Sequence, residues 1–193
     1  MKNLQGNSIV SEPFTSVTHM RSVQWGLIAG LAGTMAMDLV LMGGLTALGL
    51  PVDTCFITIG RTAARFFSIL GIRFAGEVTL GVAVYHLVGP LLGAVYGLIV
   101  SRVSALQRTT LKKSLLYAVL YAEVVSQLIL TMVPALLRMP AQEAMLWFAG
   151  SSVLHSIWGV VMGSAAYYLV RLSPPIYRNF RTEEIGGISW KIR

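Results

Sequence analysis

Charged side chains are scarce in this sequence, and their scarcity indicates its class. Asp, Glu, Lys and Arg make up 12% of the 193 residues, whereas apolar residues make up 55%. A water-soluble protein of this composition could not cover its surface with polar groups, so the surplus apolar surface must face lipid. The net charge of +7 does not indicate nucleic acid, because the basic residues lie in loops and tails between apolar runs. We expect a lipid bilayer as partner, and no nucleic acid.

Cysteine and the short motifs of catalysis are also nearly missing. Cys55 is the single cysteine, which excludes an intramolecular disulfide, a CxxC redox pair and a multi-cysteine zinc site. The nucleophile-elbow, Walker, HExxH and EF-hand patterns are absent from the sequence. The sequence therefore does not favour an enzyme, and it predicts no catalytic residue.

Four long apolar runs dominate the sequence instead. Each reaches the roughly 20 residues needed to cross a hydrocarbon core of about 30 Å, and a helix satisfies its own backbone hydrogen bonds in lipid. The sequence predicts an all-α fold with a four-helix transmembrane domain at 25–172. A cytoplasmic leader (1–24) precedes this domain and a cytoplasmic tail (173–193) follows it. The predicted spans are 25–50, 78–101, 114–137 and 146–170.

The basic residues predict the orientation of these spans. Eleven of the fifteen lie in the leader, the middle loop and the tail. By the positive-inside rule, these three segments are cytoplasmic. The other four lie in the two remaining loops: Arg61, Arg65, Arg73 and Arg138.

Residues 55–72, between the first two spans, show a different pattern. Apolar side chains recur there at helical spacing, while Arg61 and Arg65 fall on the opposite side. Arginines are costly in mid-bilayer, so we predict an amphipathic helix on the extracytoplasmic interface, with both arginines reaching lipid headgroups. A re-entrant element and a fifth span are the alternatives.

The second half of the chain resembles the first. A tyrosine–histidine–glycine pattern in the second span (85–89) is matched by a histidine–glycine pattern in the fourth (154–159), and Asp38 aligns with Gln127. The glycine spacing slips by one residue between the two patterns. We predict two tandem helical hairpins in parallel orientation. Chance similarity between glycine-rich apolar helices is the alternative.

Glycines at four-residue spacing predict close helix packing. Such stripes let helix backbones approach each other in lipid, either within the bundle or against a second copy of the chain. A homo-oligomer or a larger membrane complex is therefore a possible assembly. The predicted helix-packing residues are Gly26, Gly30, Gly89, Gly93, Gly97, Gly159 and Gly163.

Five ionisable or amide side chains inside the predicted spans form a candidate polar centre. Carboxylates at such depth should face the bundle interior and either pair or become protonated. The two histidines lie at equal depth, roughly 13 Å from the extracytoplasmic ends of their spans. The candidate residues are Asp38, His86, Glu123, Gln127 and His155.

Three functions are compatible with this centre. The first is an accessory or scaffold subunit of a membrane complex, in which the polar groups satisfy one another. The alternative is a small proton- or ion-coupled transporter or channel, with the carboxylates as carriers and the histidines as relays. The last is a redox subunit holding haem b or a metal through His86 and His155. The sequence predicts no cofactor under the first two functions.

Two sequence runs also carry a family resemblance. The run from Gly26 to Thr34 and the run Tyr85-His86-Leu87-Val88-Gly89 resemble small prokaryotic four-helix membrane proteins of unknown function. The resemblance covers the first two spans and implies a multi-pass protein of the prokaryotic plasma membrane. It carries over no catalytic residue.

Overall fold

The structure, a computed structural model, describes residues 14–103, 106 and 110–172. Within these ranges the chain is all-helical and contains no strand, which confirms the all-α part of the predicted fold. The helices are α1 (Phe14–Ala47), α2 (Thr54–Ile69), α3 (Glu77–Arg102), α4 (Leu111–Leu130), α5 (Met132–Leu137) and α6 (Ala141–Leu172).

Among the described residues, four segments are long and apolar enough to cross a membrane. They are Met20–Ala47, Glu77–Arg102, Leu111–Leu137 and Ala141–Leu169. Their ends differ from the predicted spans by several residues, because hydropathy marks the apolar part of a helix while the helix continues into polar flanks. For the same reason α1 begins inside the predicted leader. Residues 1–13 of that leader and the predicted tail lie outside the described residues.

The helices associate as two antiparallel pairs, α1 with α3 and α4 with α6, and α1 also contacts α6. All seven predicted packing glycines lie in the two pairs. A Cβ added at Gly30 would meet the backbone of Gly89 and Gly93, and one added at Gly159 would meet the backbone of α4 at Val119. These helices approach each other more closely than a larger residue would allow.

Two side chains join the pairs across the core. Trp158 on α6 donates from Nε1 to the carbonyl oxygen of Gly30 at 3.0 Å. The Tyr121 hydroxyl on α4 donates to the carbonyl oxygen of Leu92 on α3 at 2.8 Å. Trp158 is 2% exposed and belongs to the buried apolar cluster, which also includes Met37, Tyr96, Ala118, Ala122 and Met162.

The third predicted span is interrupted near its end. α4 stops at Leu130 and α5 starts at Met132. Pro134 explains the break, since it has no N–H to donate to the Leu130 carbonyl and its ring crowds that oxygen. Arg138, with φ of 53°, ends α5 in the left-handed region.

Helix α2 packs along α3 through small residues. Its buried residues are Phe56, Gly60 and Thr62. An added Cβ at Gly60 would meet the carbonyl of Glu77, and one at Gly81 would meet the carbonyl of Phe56. The first turn of α2 packs against the first half of α3, because a Cβ added at Gly81 would meet the Phe56 carbonyl and the Phe56 ring contacts the rings of Tyr85 and His86.

The two arginines of α2 bind protein groups. Arg61 Nε lies 2.8 Å from Glu77 Oε2 at the start of α3, with both side chains about half exposed. Arg65 Nη1 donates to the carbonyl oxygen of Leu136 on α5 at 2.6 Å. These contacts tie α2 to α3 and to α5.

Candidate functional site

Asp38 and His86 form a hydrogen-bonded pair between α1 and α3. The buried face of α1 also carries Gly30 and Thr34, and Asp38 is 9% exposed on it. His86 Nε2 lies 3.0 Å from Asp38 Oδ2. His86 Nδ1 lies 3.0 Å from the carbonyl oxygen of Val82.

These two contacts define how many protons the pair holds. The Val82 carbonyl only accepts, so His86 Nδ1 carries a hydrogen. The contact between Nε2 and Oδ2 then requires a second proton, held either by the imidazole or by the carboxyl group. The pair is uncharged overall in both cases, because it is either an imidazolium with a carboxylate or an imidazole with a carboxylic acid. Overall neutrality reduces the cost of burying the pair in an apolar bundle.

Pro90 lies one turn after His86 in α3. It has no N–H to donate, so the helix supplies no partner for the His86 carbonyl. The interruption occurs where α1 packs closely against α3, since an added Cβ at Gly30 would also meet Pro90 Cα at 3.0 Å. The buried pair therefore lies at an irregular point of α3.

An aromatic layer from α2 and α3 covers the pair. The Phe56 ring stacks on His86 with centroids 6.3 Å apart and meets Tyr85 edge-on at 5.5 Å. The Tyr85 hydroxyl faces the Asp38 carboxylate. Tyr85 Oη and Asp38 Oδ1 are both buried and have no hydrogen-bond partner among the described residues. Buried polar atoms are normally paired, and the Tyr85 hydroxyl is the group positioned to donate to the Asp38 carboxyl group.

Cys55, on the first turn of α2, lies beside the same group and is partly buried. Burial, with a smaller contribution from Asp38, raises the pKa of the Cys55 thiol to about 11. The residue is therefore a protonated, weakly reactive thiol at neutral pH.

A second polar group lies between α4 and α6. The Ser156 hydroxyl donates to Glu123 Oε1 at 2.9 Å, and Gln127 Nε2 lies 3.3 Å from Glu123 Oε2. The same Gln127 nitrogen donates to the Ser152 hydroxyl at 2.8 Å. Both carboxylate oxygens of Glu123 are thus hydrogen-bonded, in contrast to those of Asp38.

His155 bonds to its own helix. Its Nδ1 lies 2.7 Å from the carbonyl oxygen of Ser151, one turn earlier on α6. The carbonyl only accepts, so in the neutral ring Nε2 has a free lone pair. His155 also lines the large cavity of the molecule.

The hydrogen bonds divide the five predicted polar residues into two groups. Asp38 and His86 form one, Glu123 and Gln127 form the other, and His155 joins neither through a side-chain bond. The sequence aligned Asp38 with Gln127, and each bonds to the partner helix of its own pair. Among the described residues, no cluster of three or more His, Cys, Asp or Glu has the arrangement of a metal site.

A cavity of about 1000 Å³ lies between the two helix pairs and is bounded by residues from all six helices. Most of its wall is aliphatic or aromatic, with Leu41 and Phe66 among the lining residues. Its polar lining includes Ser126 and Ser151, together with Tyr85, Trp147 and His155. Trp147 Nε1 is a third buried atom without a hydrogen-bond partner.

Several residues of this region were not predicted as site residues. Tyr85 is part of the repeated motif, but the sequence does not reveal that its hydroxyl faces Asp38. Trp147 and Trp158 look like ordinary apolar positions in a linear sequence. Gly60 and Gly81 do not belong to the glycine stripes that the sequence predicts. The sequence marks them only as residues without a side chain.

Comparison with known proteins found no match to this chain among family models, curated proteins or solved structures. The functional interpretation therefore rests on the geometry of the two polar groups and of the cavity.

Proposed function

We propose that the chain is a multi-pass membrane protein that binds a mostly apolar, amphiphilic small molecule between its two helix pairs. Its four long helices would span the prokaryotic plasma membrane as two tandem hairpins, with both termini in the cytoplasm. Large apolar side chains point outward, which favours a lipid environment. The most exposed include Leu39, Leu128, Met145 and Leu146, each at least 67% exposed.

The packing contacts support the proposed repeat. Gly30 approaches Gly89 in the first pair, and Val119 approaches Gly159 in the second. One turn further towards the proposed cytoplasmic side, Gly26 approaches Gly93 and Leu115 approaches Gly163. The contacts recur in the same order along both pairs. A reporter enzyme fused after residue 193 tests the orientation, and extracytoplasmic activity of that fusion would contradict it.

The cavity is the observation that carries the binding proposal. Its volume of about 1000 Å³ matches the upper range of small-molecule sites, which are typically about 300–1,000 Å³ and mainly apolar. Such sites combine an apolar wall with a few polar groups that orient the ligand. Here His155 and several hydroxyl side chains, such as Ser126 and Ser151, line the cavity.

A phospholipid acyl chain alone would satisfy this cavity poorly. It would cover the apolar wall but leave the free Nε2 lone pair of His155 without a partner. Each unpaired buried group costs about 1–3 kcal/mol. A molecule with an apolar body and at least one polar group removes part of that cost.

A matched pair of glycine variants tests the binding proposal. Nothing lies within 4 Å of a Cβ added at Gly150, which lines the cavity, or at Gly43, which is not among its lining residues. Both sites therefore have open space around an added Cβ, but only a side chain at Gly150 would fill part of the cavity.

The probe is dansylated hexadecylamine in lipid nanodiscs, whose sulfonamide is uncharged, and the readout is energy transfer from tryptophan. We expect stronger transfer in the parent protein and in Gly43→Leu than in Gly150→Leu. Equal transfer in all three proteins would contradict the binding proposal, because it would reflect only probe dissolved in the surrounding lipid.

The Asp38–His86 pair favours a second candidate, proton-coupled transport. The pair holds a proton between two groups inside the bundle, and buried ionisable residues of this kind occur in proton relays. With a pH-sensitive dye inside proteoliposomes, we expect Asp38→Asn to abolish proton flux and Glu123→Gln to preserve it. Asp38→Asn flux equal to that of the parent protein would contradict this candidate.

Two other sequence hypotheses receive less support. The accessory or scaffold role stays a prediction, because outward apolar faces suit lipid as well as a partner protein. A haem between His86 and His155 would require His86 Nε2 to release Asp38. The visible spectrum of the purified protein tests that hypothesis, since haem gives a Soret band that a His86→Ala variant would lose.

A further inference from the structure

We infer that the proton shared by Asp38 and His86 resides on the imidazole ring, and that the Tyr85 hydroxyl holds it there by donating to the carboxylate. The pair is then an imidazolium–carboxylate ion pair inside the bundle, and Tyr85 is its positioning residue. This inference concerns the state of the pair at rest, so it goes beyond both candidate functions and holds whether or not the chain transports protons.

The carboxyl group of Asp38 lies next to two donors. His86 Nε2 lies 3.0 Å from Oδ2, and the Tyr85 hydroxyl faces the same carboxyl group. Tyr85 Oη and Asp38 Oδ1 are both buried and have no other hydrogen-bond partner among the described residues. A hydrogen bond to an ionised acceptor is roughly twice as strong as one between neutral groups. The Tyr85 hydroxyl therefore stabilises the carboxylate more than the carboxylic acid.

The groups around the imidazole ring favour its charged form in the same way. Nδ1 of His86 donates to the carbonyl oxygen of Val82 at 3.0 Å, and this bond strengthens when the ring is positively charged. The Phe56 ring stacks on the imidazole with centroids 6.3 Å apart. The face of an aromatic ring carries negative partial charge and attracts a cation. Both contacts are weaker for a neutral imidazole.

The burial of two charges opposes the ion pair. Such a pair is stable when its charges are close together and the remaining polar atoms are hydrogen-bonded. The contact of 3.0 Å between His86 and Asp38 meets the first condition, and Val82 and Tyr85 meet the second. The titratable side chains that face the pair are Tyr85 from α3 and Cys55 from α2, whose protonated thiol adds no charge.

Nitrogen NMR of isotope-labelled histidine side chains, in nanodiscs at neutral pH, tests the position of the proton. An imidazolium has two protonated ring nitrogens, whereas a neutral imidazole has one protonated and one bare nitrogen. A His86→Gln variant identifies the His86 signals by their loss. We expect two protonated nitrogens at His86 in the parent protein. A bare nitrogen there would overturn the inference, because the imidazole would be neutral.

An Asp38 variant tests whether the carboxylate holds the charge. Asp38→Asn keeps the size of the side chain but removes its negative charge, which leaves a buried imidazolium without a counter-ion. We expect His86 to become neutral in this variant and to show a bare nitrogen. An imidazolium that persists in Asp38→Asn would contradict the ion pair.

A tyrosine variant tests the positioning role. Tyr85→Phe removes the donor to the carboxylate while keeping the ring, so the proton should move from His86 towards Asp38. We expect the ratio of imidazolium to neutral imidazole to fall about tenfold, the effect of one hydrogen bond to a charged group. The Nε2 signal should shift towards that of a bare nitrogen. Tyr117→Phe, on an exposed tyrosine, is the matched control and should leave both signals of His86 unchanged.

Two results would overturn the role of Tyr85. The first is an Nε2 signal that is the same in Tyr85→Phe as in Tyr117→Phe. The second is loss of the proton on Nδ1 in Tyr85→Phe, because that nitrogen donates to Val82 in both forms of the pair. Its loss would mean that the imidazole ring has moved, which is a structural effect and not a change in proton position.

Discussion

Each of the two helix pairs contains a carboxylate between its helices, but the two carboxylates differ in their hydrogen bonding. In the first pair, Asp38 shares a proton with His86 and retains one oxygen without a partner. In the second pair, Ser156 and Gln127 bond both oxygens of Glu123. A fully bonded group stabilises a bundle, whereas an incompletely bonded one can accept a proton or a ligand. The comparison favours a functional role for the first pair and a structural role for the second.

Helix α2 is a further difference between the pairs. It packs against the first half of α3 and brings Phe56 and Cys55 next to Asp38 and His86. By contrast, α5 has 6 residues and follows directly after α4 in the chain. The first pair is thus enclosed by an additional layer of protein.

The largest expected loss of stability comes from a substitution that forces α2 away from α3. Gly81→Val would place side-chain atoms against the Phe56 carbonyl, and overpacking of this kind costs about 3 kcal/mol. We expect a corresponding loss of thermal stability in detergent. Gly43→Val, in open space, is the control. Equal stability of the two variants would argue against the close packing of α2.

The second largest expected loss of stability comes from removing the Trp158–Gly30 hydrogen bond between the two pairs. Trp158→Phe removes the hydrogen bond to Gly30 and leaves part of a buried volume empty, at an expected cost of about 2 kcal/mol. Trp25→Phe, at a 40% exposed position, should cost much less. Unfolding midpoints in one detergent measure the difference. Matching midpoints would mean that Trp158 does not hold the pairs together.

A smaller expected loss of stability distinguishes the role of Glu123 from that of Asp38. Glu123→Ala leaves the partly buried Ser156 hydroxyl and one N–H of Gln127 without the carboxylate acceptor and should cost about 1–2 kcal/mol. Asp38→Ala should cost less than about 1 kcal/mol, because His86 is partly exposed and one Asp38 oxygen is already unpaired. Thermal unfolding of the two variants measures this order. The reverse order would contradict the structural role assigned to Glu123.

The smallest effect is on the reactivity of Cys55. Its pKa of about 11 keeps the thiol protonated near neutral pH, and the thiolate is the reactive form. Alkylation by N-ethylmaleimide should therefore be slow at pH 7 and accelerate about tenfold per pH unit up to pH 10.

The same measurement distinguishes the two acids. Asp38→Asn removes the smaller of the two causes that raise the pKa of Cys55, so the pKa should fall and alkylation should become modestly faster. Glu123→Gln, in the other helix pair, should leave the rate unchanged. A flat pH profile, or equal acceleration by both variants, would show that Asp38 does not influence the thiol.

The sequence by itself determined the helical class, the four apolar segments and the glycines at which the backbones approach. These properties depend on composition and on spacing along one helix, which a linear sequence contains in full. It also singled out Asp38, His86, Glu123, Gln127 and His155, because polar groups inside apolar helices are conspicuous.

Only the tertiary structure decided which of these residues meet. A hydrogen bond between α1 and α3 depends on helix rotation and relative height, and a shift of one residue turns a side chain by about 100°. For the same reason the sequence did not reveal that Tyr85 faces Asp38 or that Trp158 reaches Gly30. The cavity has no sequence signal at all, because it is the space that six helices leave between them.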